Sequence, residues 1–282
     1  MRLNNTGQHR PALAPPGATV STRVTLLPLD DRTVVRDDVL AAEAPLEVRL
    51  GDKPLTVLMR TPGHDEELVT GFLFTEGVIA DADELISVER PPDLSESEHG
   101  NVVTVRLLTA RRLPSERLFF SNSSCGICGK QTLASIELLG APVRSDLAVS
   151  RSLLAALPDR LRAAQPVFAE TGGVHASALF TPTGELIALR EDVGRHNALD
   201  KVIGWALTEG RVPLRDCLLL VSGRVSYELI QKAVAAGIPL IAAVGAPSSF
   251  AVALAERFGV TLVGFLRPAS MNCYTHPSRV TG

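Results

Sequence analysis

Long apolar runs are missing from this chain: none approaches the roughly 18 residues that a helix needs to cross a bilayer. Residues 1–19 are rich in proline, glycine, alanine and asparagine and lack the apolar centre of a secretory signal. These two absences lead us to expect a cytoplasmic protein with no membrane partner, in which the four cysteines stay reduced.

An excess of one charge is missing as well. The formal net charge is −3 over 282 residues and no basic run stands out, which argues against a general nucleic-acid-binding protein. Neither a Gly-x-Gly-x-x-Gly nor a Walker pattern occurs, so a bound nucleotide would not be held by either familiar phosphate loop. The hydrophobic content of 45% is enough for one large core or two modest ones.

Two of the cysteines, Cys125 and Cys128, lie in a loop of small polar residues, 121–130, that leads into a helical pattern over 131–139. The first turn of a helix favours anions through its unpaired N–H groups and its dipole. A Cys-X-X-Cys setting can lower a thiol pKa from about 8.5 to roughly 3.5–7.5. The spacing therefore predicts a nucleophilic sulfur, and Lys130 adds a positive charge nearby.

Three other interpretations of this cysteine pair stay open. A redox dithiol would be expected at the start of a thioredoxin-like βαβ unit, which is not evident here. A zinc half-site needs a second pair, but Cys217 and Cys273 are far apart in the sequence, each beside a predicted strand. An inert buried pair is disfavoured because the flanking Ser, Asn and Gly residues favour exposure over packing.

The last third of the chain alternates strand and helix. Short apolar runs at 217–221, 238–244 and 260–266 are separated by helical patterns at 227–236 and 249–258. This rhythm predicts a parallel sheet covered by helices on both faces. In such sheets ligands bind beyond the carboxyl ends of the strands.

The segments that follow these three strands are candidates for a phosphate site. They read Ser222-Gly223-Arg224, Gly245 to Ser249 and Arg267 to Asn272. Small residues at helix N-termini, together with two arginines, suit a phosphate group. Ordinary βα turns also prefer Gly, Pro and Ser, so both interpretations stay open.

Periodicity and turn signals predict the other elements. They are a hairpin over 46–60, a helix from residue 65 to Gly77, a strand over 101–107, a helix from Ser150 to Pro158, a second short helix that begins at Pro158, a hairpin over 174–190, and a helix from 192 to about Leu207. We place a boundary near residue 115. The predicted organisation is a disordered tail (1–19), a small α+β domain (20–115) and an α/β domain that carries the cysteine loop (116–282).

Three histidines are ambiguous. His64 precedes a helix, where a surface or capping role is the commoner one. His196 and Asp200 are four residues apart and would share a helix face, which favours a surface hydrogen bond. His175 begins a predicted strand and we expect it to face the site. The His-x-Glu motif of zinc deaminases is incomplete here, because Ser177 stands in place of the proton-shuttling Glu and the cysteine pair precedes the histidine.

Several of these stretches together resemble the formate dehydrogenase accessory sulfurtransferase family, FdhD. The resemblance extends over about 20–280 and is carried by Thr61-Pro62-Gly63-His64-Asp65-Glu66-Glu67-Leu68, Ser124-Cys125-Gly126-Ile127-Cys128-Gly129, Thr171-Gly172-Gly173-Val174-His175-Ala176, Glu191-Asp192-Val193-Gly194-Arg195-His196-Asn197-Ala198, Ser222-Gly223-Arg224 and Tyr274-Thr275-His276-Pro277. It implies a fold similar to that of the cytidine deaminases, a three-layer α/β/α domain, with a smaller N-terminal α+β domain.

The resemblance also implies a function. The family carries persulfide sulfur from a cysteine desulfurase to the molybdenum or tungsten bis-guanine-dinucleotide cofactor of formate dehydrogenase. By this likeness Cys125 is the persulfide cysteine. Thiol exchange chemistry would let a second thiol assist or release the sulfur, and Cys128 is the candidate for that role. The cofactor-binding stretch is Phe265, Leu266, Arg267, Pro268, Ala269 and Ser270.

We accordingly expect a sulfurtransferase whose acceptor, Mo-bis(molybdopterin guanine dinucleotide), is bound transiently, with no permanently bound cofactor and no metal ligands. The expected partners are a cysteine desulfurase, formate dehydrogenase and a second copy of the chain in a homodimer. The alternative function is a zinc-stabilised chaperone that binds the cofactor without transferring sulfur.

Overall fold

The computed structural model describes residues 14–29, 32–92, 95, 100–108, 119–120 and 141–282. The loop with Cys125 and Cys128, the predicted helix over 131–139 and the predicted boundary near residue 115 lie outside the described residues. The roles predicted for the two cysteines therefore stay predictions.

The described strands form two larger sheets and two short pairs. The strands are β1 (Thr19–Leu26), β2 (Val34–Ala41), β3 (Ala44–Leu50), β4 (Lys53–Arg60), β5 (Leu85–Glu89), β6 (Val102–Leu107), β7 (Phe119–Phe120), β8 (Val149–Ser150), β9 (His175–Phe180), β10 (Leu186–Asp192), β11 (Leu218–Val221), β12 (Leu240–Ala243), β13 (Thr261–Arg267), β14 (Ser270–Thr275) and β15 (Val280–Thr281). One sheet has the order β10-β9-β11-β12-β13-β14 and the other the order β5-β6-β3-β4-β7, while β1 pairs with β2 and β15 with β8.

Helices cover both faces of the six-stranded sheet. The described α-helices are α1 (Asp65–Thr75), α2 (Arg151–Ala163), α3 (Pro166–Thr171), α4 (Arg195–Thr208), α5 (Tyr227–Ala235) and α6 (Ser249–Arg257). Buried residues of α4, α5 and α6 share one core cluster with one face of the sheet, and buried residues of α2 share a second cluster with the other face. Within the described ranges, no helix has the length and apolar character needed to cross a membrane.

Strand β11 explains why the sheet needs two helical layers. All four of its side chains are buried, and alternate residues point to opposite faces. Leu219 and Val221 pack with α4 to α6, whereas Leu218 and Leu220 pack against α2. A strand that is apolar on both faces is typical of the interior of a covered parallel sheet.

The predicted parallel strands are confirmed, because β11 pairs with β12 and β12 with β13 in parallel. The hairpins predicted over 46–60 and 174–190 are confirmed as β3-β4 and β9-β10. The sheet as a whole is mixed, since β9, β10 and β14 run antiparallel to their neighbours. The α/β class is therefore confirmed, while the likeness to the deaminases and the domain division stay predictions.

One helix boundary was predicted wrongly. Pro158 does not begin a second helix but lies inside α2, and the next helix begins at Pro166. A proline in a helix interior costs about 3 kcal/mol. The buried side chains of Leu154, Leu157 and Leu161 contribute about 1.5–3 kcal/mol each, so burial against the sheet outweighs that cost.

The N-terminal end of the described chain also departs from the prediction. Ala18, assigned to the disordered tail, is fully buried, and its N–H donates to the carbonyl of Pro15 at 3.1 Å. The chain is therefore ordered before residue 19, while residues 1–13 lie outside the described part. The β1-β2 hairpin that follows was not predicted, because its strands carry polar and charged side chains on both faces.

Helices α1 and α4 cross at a distance that only glycine permits. A β-carbon added to Gly71 would lie 1.9 Å from the carbonyl oxygen of Asp200, and one added to Gly204 would lie 1.9 Å from that of Glu67. The pairing of two glycines therefore brings the helix backbones into direct contact. This contact joins the core under the five-stranded sheet, which includes Leu68 and Leu73, to the helical layer of the larger sheet.

The glycine contact predicts a large effect of one added methyl group. Gly71→Ala should lower the free energy of unfolding by about 3 kcal/mol or more, since the obstacle is backbone and cannot rotate away. Glu66→Ala, on the exposed side of the same helix, is the matched control and should change stability by less than about 0.5 kcal/mol. Urea unfolding of both variants measures the difference, and equal stabilities would contradict the contact.

Candidate functional site

Several chain segments converge at one edge of the six-stranded sheet. The carboxyl ends of β11, β12 and β13 lie at this edge because the three strands are parallel. Strand β9 runs the opposite way, so its first residue, His175, reaches the same edge, opposite Asp192 at the end of β10. Helices α4, α5 and α6 start from the segments that leave this edge. The N-termini of three helices therefore lie at the sheet edge where the sequence predicts a ligand site.

Backbones pack closely in the loops of this edge. The N–H of Gly245 donates to the carbonyl of Gly223 at 3.2 Å, and the N–H of Phe265 donates to the carbonyl of Gly245 at 3.1 Å. A β-carbon on Gly245 would lie 2.6 Å from the Gly223 oxygen. Backbone hydrogen bonds therefore join the loop after β11, the loop after β12 and the irregular part of β13 into one surface.

The residues of the predicted cofactor-binding stretch, 265–270, differ in how far their side chains are exposed on this surface. Phe265 has a positive φ of 50° at an irregularity in the β13-β14 pairing, and the residue is 45% exposed. Leu266 is fully buried and cannot offer its side chain to a ligand. Arg267 donates through Nη1 to the carbonyl of Val244 at 2.8 Å, which ties β13 to the neighbouring loop. Pro268, Ala269 and Ser270 are exposed at the turn into β14.

The N-cap residues of α4 and α5, Gly194 and Ser226, make no side-chain capping bond. Ser226, the N-cap of α5, instead bonds through Oγ to His196 Nε2 at 3.1 Å. The same His196 nitrogen lies 2.8 Å from Glu228 Oε2. These contacts hold the two helix starts side by side.

Positive side chains cluster next to these helix starts. A β-carbon built on Gly223 would lie 3.2 Å from His175 Nδ1 and 3.8 Å from Arg195 Cδ, so both side chains border that glycine. Burial lowers the pKa of His175, and the charges of Arg195, His196 and Arg224 lower it further. Burial and the charge of Arg224 likewise lower the pKa of Arg195. Arg195 and Arg224 repel each other, and the carboxylate of Glu228 opposes this effect only in part, so the edge favours an anion.

Arg195 also has a buried polar group that lacks a hydrogen-bond partner among the described residues. Its Nε is buried and has no hydrogen-bond partner among the described residues. A buried N–H without a partner costs about 1–3 kcal/mol. An anionic ligand at this edge would supply both the missing acceptor and the missing negative charge.

Asp192 fixes the start of α4. Its side chain is fully buried and accepts hydrogen bonds from the backbone N–H groups of Thr61 at 3.1 Å and Gly194 at 2.8 Å. The same carboxylate accepts from Asn197 Nδ2 at 3.0 Å and pairs with Lys201 Nζ at 2.8 Å. It therefore joins two of the stretches that carried the family resemblance, and it holds Arg195 at the sheet edge.

The predicted surface bond between His196 and Asp200 is wrong. Asp200 is buried and bonds elsewhere: Lys232 Nζ lies 2.9 Å from both carboxylate oxygens, and Thr75 Oγ1 donates to the carboxylate at 2.9 Å. Sequence reasoning missed this network and the Asp192 network. The one available signal was a pair of charged residues, Asp200 and Lys201, inside an otherwise apolar helical run.

The remaining candidates lie away from the edge cluster or outside the described residues. His64 has the left-handed φ of 57° at the N-cap of α1 but makes no capping bond. Cys217 and Cys273 are free thiols, and burial raises the pKa of both. Within the described ranges, no three His, Cys, Asp or Glu side chains lie close enough to hold a metal ion.

The edge cluster predicts a titration that does not depend on any activity. His175 should titrate below its ordinary value of 6.5 because its ring is buried among cations. Arg195→Gln should raise the pKa of His175, whereas Arg144→Gln, which removes an exposed arginine not among the charges that perturb His175, should not. NMR titration of the histidine ring measures both. An unchanged His175 pKa in Arg195→Gln would contradict the assigned electrostatics.

Curated proteins that share one name are similar to this chain over most of its length. The chain is 48% identical over 274 residues to the sulfur carrier protein FdhD of Mycobacterium tuberculosis, which covers 94% of this chain and 99% of that protein. It is 51% identical over 272 residues to the protein of the same name from Streptomyces avermitilis, covering 94% and 96%. The protein of that name from Sulfolobus acidocaldarius is 48% identical over 244 residues, covering 86% and 92%.

A solved structure is also similar. The crystal structure of a protein described as a putative formate dehydrogenase accessory protein, from Desulfotalea psychrophila, superposes with a TM-score of 0.74 and 26% sequence identity, covering 93% of this chain and 99% of that one. A model of the FdhD/NarQ family matches residues 41–281, which contain both the Asp192 network and the cationic sheet edge. The chain therefore belongs to the FdhD/NarQ family.

Proposed function

We propose that this chain is a sulfur carrier that takes persulfide sulfur from a cysteine desulfurase onto Cys125. It then delivers the sulfur to the molybdenum or tungsten bis-guanine-dinucleotide cofactor of formate dehydrogenase. The observation that carries the acceptor half is the cationic edge, where Arg195 Nε is buried without a described partner beside the N-terminal ends of α4 and α5. The sulfur half rests on family membership and on the Cys-X-X-Cys loop.

The first step is a thiol–persulfide exchange. The Cys125 thiolate attacks the outer sulfur of the desulfurase persulfide, the S–S bond of the donor breaks, and the desulfurase cysteine leaves as a thiolate. The new S–S bond leaves the transferred sulfur at the end of a Cys125 persulfide. One thiolate is consumed and one is released, so the step needs no oxidant or reductant.

Release of the sulfur as sulfide requires two electrons, which the second thiol can supply. The Cys128 thiolate attacks the inner sulfur of the Cys125 persulfide, a disulfide forms between the two cysteines, and the outer sulfur leaves as hydrosulfide. A dithiol reductant must then reduce the disulfide before the next cycle. This division of roles explains why two cysteines at this spacing would be useful.

The acceptor cofactor is a substrate of the carrier, and its nucleotide arms suit the cationic edge. Diphosphate groups bind where helix N-termini and arginines meet, and the N-terminal ends of α4 and α5 lie beside Arg195 and Arg224. The exposed ring of Phe265 offers a flat face on which a guanine base can stack. Because the loops are locked backbone to backbone, the surface needs little reorganisation before it binds.

The other described cysteines fit a passive role. A thiol whose pKa is raised by burial holds little thiolate at neutral pH and reacts slowly as a nucleophile. Cys217 and Cys273 both have raised pKa values for this reason. They therefore serve as matched controls for the cysteine that we propose carries the sulfur.

The sulfur half of the proposal is tested by intact mass. After incubation with a cysteine desulfurase and cysteine, the wild-type chain should gain one sulfur atom that a reductant removes, and Cys125→Ala should gain none. Cys217→Ala and Cys273→Ala should load like the wild type, because their thiols are poor nucleophiles. Loading of Cys125→Ala at the wild-type level would exclude Cys125 as the carrier.

The acceptor half is tested by binding of guanosine diphosphate in a calorimetric titration. Arg195→Gln should weaken binding about tenfold to a hundredfold, because a charge-assisted hydrogen bond contributes roughly 1.5–3 kcal/mol. Phe265→Asn should weaken it about tenfold, since asparagine tolerates the left-handed backbone but removes the ring. Arg144→Gln is the control for loss of one positive charge. Unchanged affinity in both edge variants would place the nucleotide elsewhere.

A further inference from the structure

A groove with a volume of about 990 Å³ runs along one edge of strand β10. This strand is the outermost one described on its side of the six-stranded sheet, and every residue from Gly184 to Glu191 lines the groove. Successive side chains of a strand point to opposite faces, so a cavity against one face is lined by alternate residues only. An unbroken run of lining residues means that the groove lies against the edge of the backbone.

Two other parts of the chain form the walls of this β10 groove. One wall is the end of α2 and the start of α3, where Ala163 and Val167 line it. Another is the loop before α1, which contributes Pro62 and His64 from a motif that the proposed sulfur chemistry does not use. The groove is at the upper end of the size range of ligand sites, and most of its lining is small or apolar.

The pairing of β9 shows which way the backbone of β10 faces. The carbonyl of Ala176 accepts at 3.0 Å from the residue that follows β11, so Ala176 bonds towards β11. Alternate residues of a strand bond to opposite neighbours, so Ser177 bonds towards β10, where its partner is Arg190. The residues on either side of that partner, Leu189 and Glu191, therefore turn their backbone groups away from β9 and towards the groove.

These outward backbone groups are only partly used. The carbonyl of Glu191 accepts from Lys201 Nζ at 3.3 Å, and that of Leu189 accepts from Arg190 Nη1 at 2.8 Å. The N–H groups of Leu189 and Glu191 have no acceptor among the described residues. They are two residues apart and hence about 7 Å apart, which is the spacing at which an added extended strand presents its carbonyls.

The charges along the groove favour an acidic group at one end. Arg160 donates through Nη1 to a backbone carbonyl at the hairpin turn and has no carboxylate partner among the described residues. The other lining cations, Arg190 and Lys201, are already in ion pairs. Of the two lining acids, Glu191 accepts from two backbone N–H groups of α3, both at 2.9 Å, and Glu185 is exposed to water at the turn.

We propose that the β10 groove binds an extended peptide segment of another protein, which joins the six-stranded sheet as an additional strand and meets Arg160 with an acidic residue. The N–H groups of Leu189 and Glu191 donate to the carbonyls of the segment, and the apolar walls receive its alternate side chains. The unpaired backbone donors select an extended chain over a compact ligand. This docking site is separate from the cationic sheet edge and does not depend on the proposed sulfur transfer.

Hydrogen exchange measured by NMR on the full-length chain tests the geometry. In the free chain the amide of Leu189 should exchange rapidly and that of Arg190, which bonds to β9, slowly. A short capped peptide in which valine and threonine alternate between two terminal glutamates is the probe, and it should slow exchange at Leu189 about tenfold or more. Slow exchange at Leu189 in the free chain would overturn the proposal, because the edge would already be covered. Exchange that the peptide leaves unchanged would overturn it too.

Fluorescence anisotropy of the same labelled peptide tests the walls and the charge. Arg160→Glu should weaken binding about tenfold or more, whereas Arg151→Glu, at the exposed far end of α2, should not. Ala163→Trp should block the groove, whereas Ala169→Trp, at an exposed position of α3 that does not line the groove, should bind like the wild type.

A peptide of the same sequence with every backbone amide methylated is the control for strand pairing and should not bind. Equal affinity for the methylated peptide would contradict pairing with β10. Wild-type affinity in both Arg160→Glu and Ala163→Trp would place the peptide elsewhere on the chain. Circular dichroism of each variant confirms that the fold is retained.

Discussion

The buried carboxylate of Asp192 is the interaction on which the site depends. A fully buried charge is tolerated only when it is paired and hydrogen-bonded, and this one accepts from two backbone N–H groups, an amide and an amine. The amine of Lys201 in turn donates to the carbonyls of Thr61 and Glu191. The loop before α1, the end of β10 and the start of α4 are thereby fixed as one unit.

That unit determines where the cations lie. Arg195 and His196 are the first residues of α4, so whatever holds α4 holds them at the sheet edge. The glycine contact of α4 with α1 fixes the same helix further along, because neither backbone can move without breaking an apolar core. The cationic edge is therefore a consequence of buried packing. Arg195 and Arg224 repel each other there, and the buried packing of α4 opposes that repulsion.

How much of this the sequence predicts depends on the range of the interactions. The parallel strands and both hairpins were predictable, because apolar runs and turn residues are local signals. The helix boundary predicted at Pro158 was wrong because the free energy gained by burying the neighbouring leucines depends on the sheet that they face. That sheet is not a local signal in the sequence. The partner of Asp200 is Lys232, and no pattern within the helix indicates a partner 32 residues away. The cation cluster was missed in part for the same reason, since Arg195 and Arg224 come together only at the sheet edge.

Transfer of sulfur from this chain to the formate dehydrogenase cofactor, as we propose, can be measured directly. The chain is loaded with isotopically labelled persulfide sulfur, separated from the desulfurase, and mixed with formate dehydrogenase that lacks the sulfur ligand. The label should move to the dehydrogenase cofactor, and formate oxidation should appear in proportion to it. Label that stays on the carrier, or activity that appears without transfer of label, would contradict the proposal.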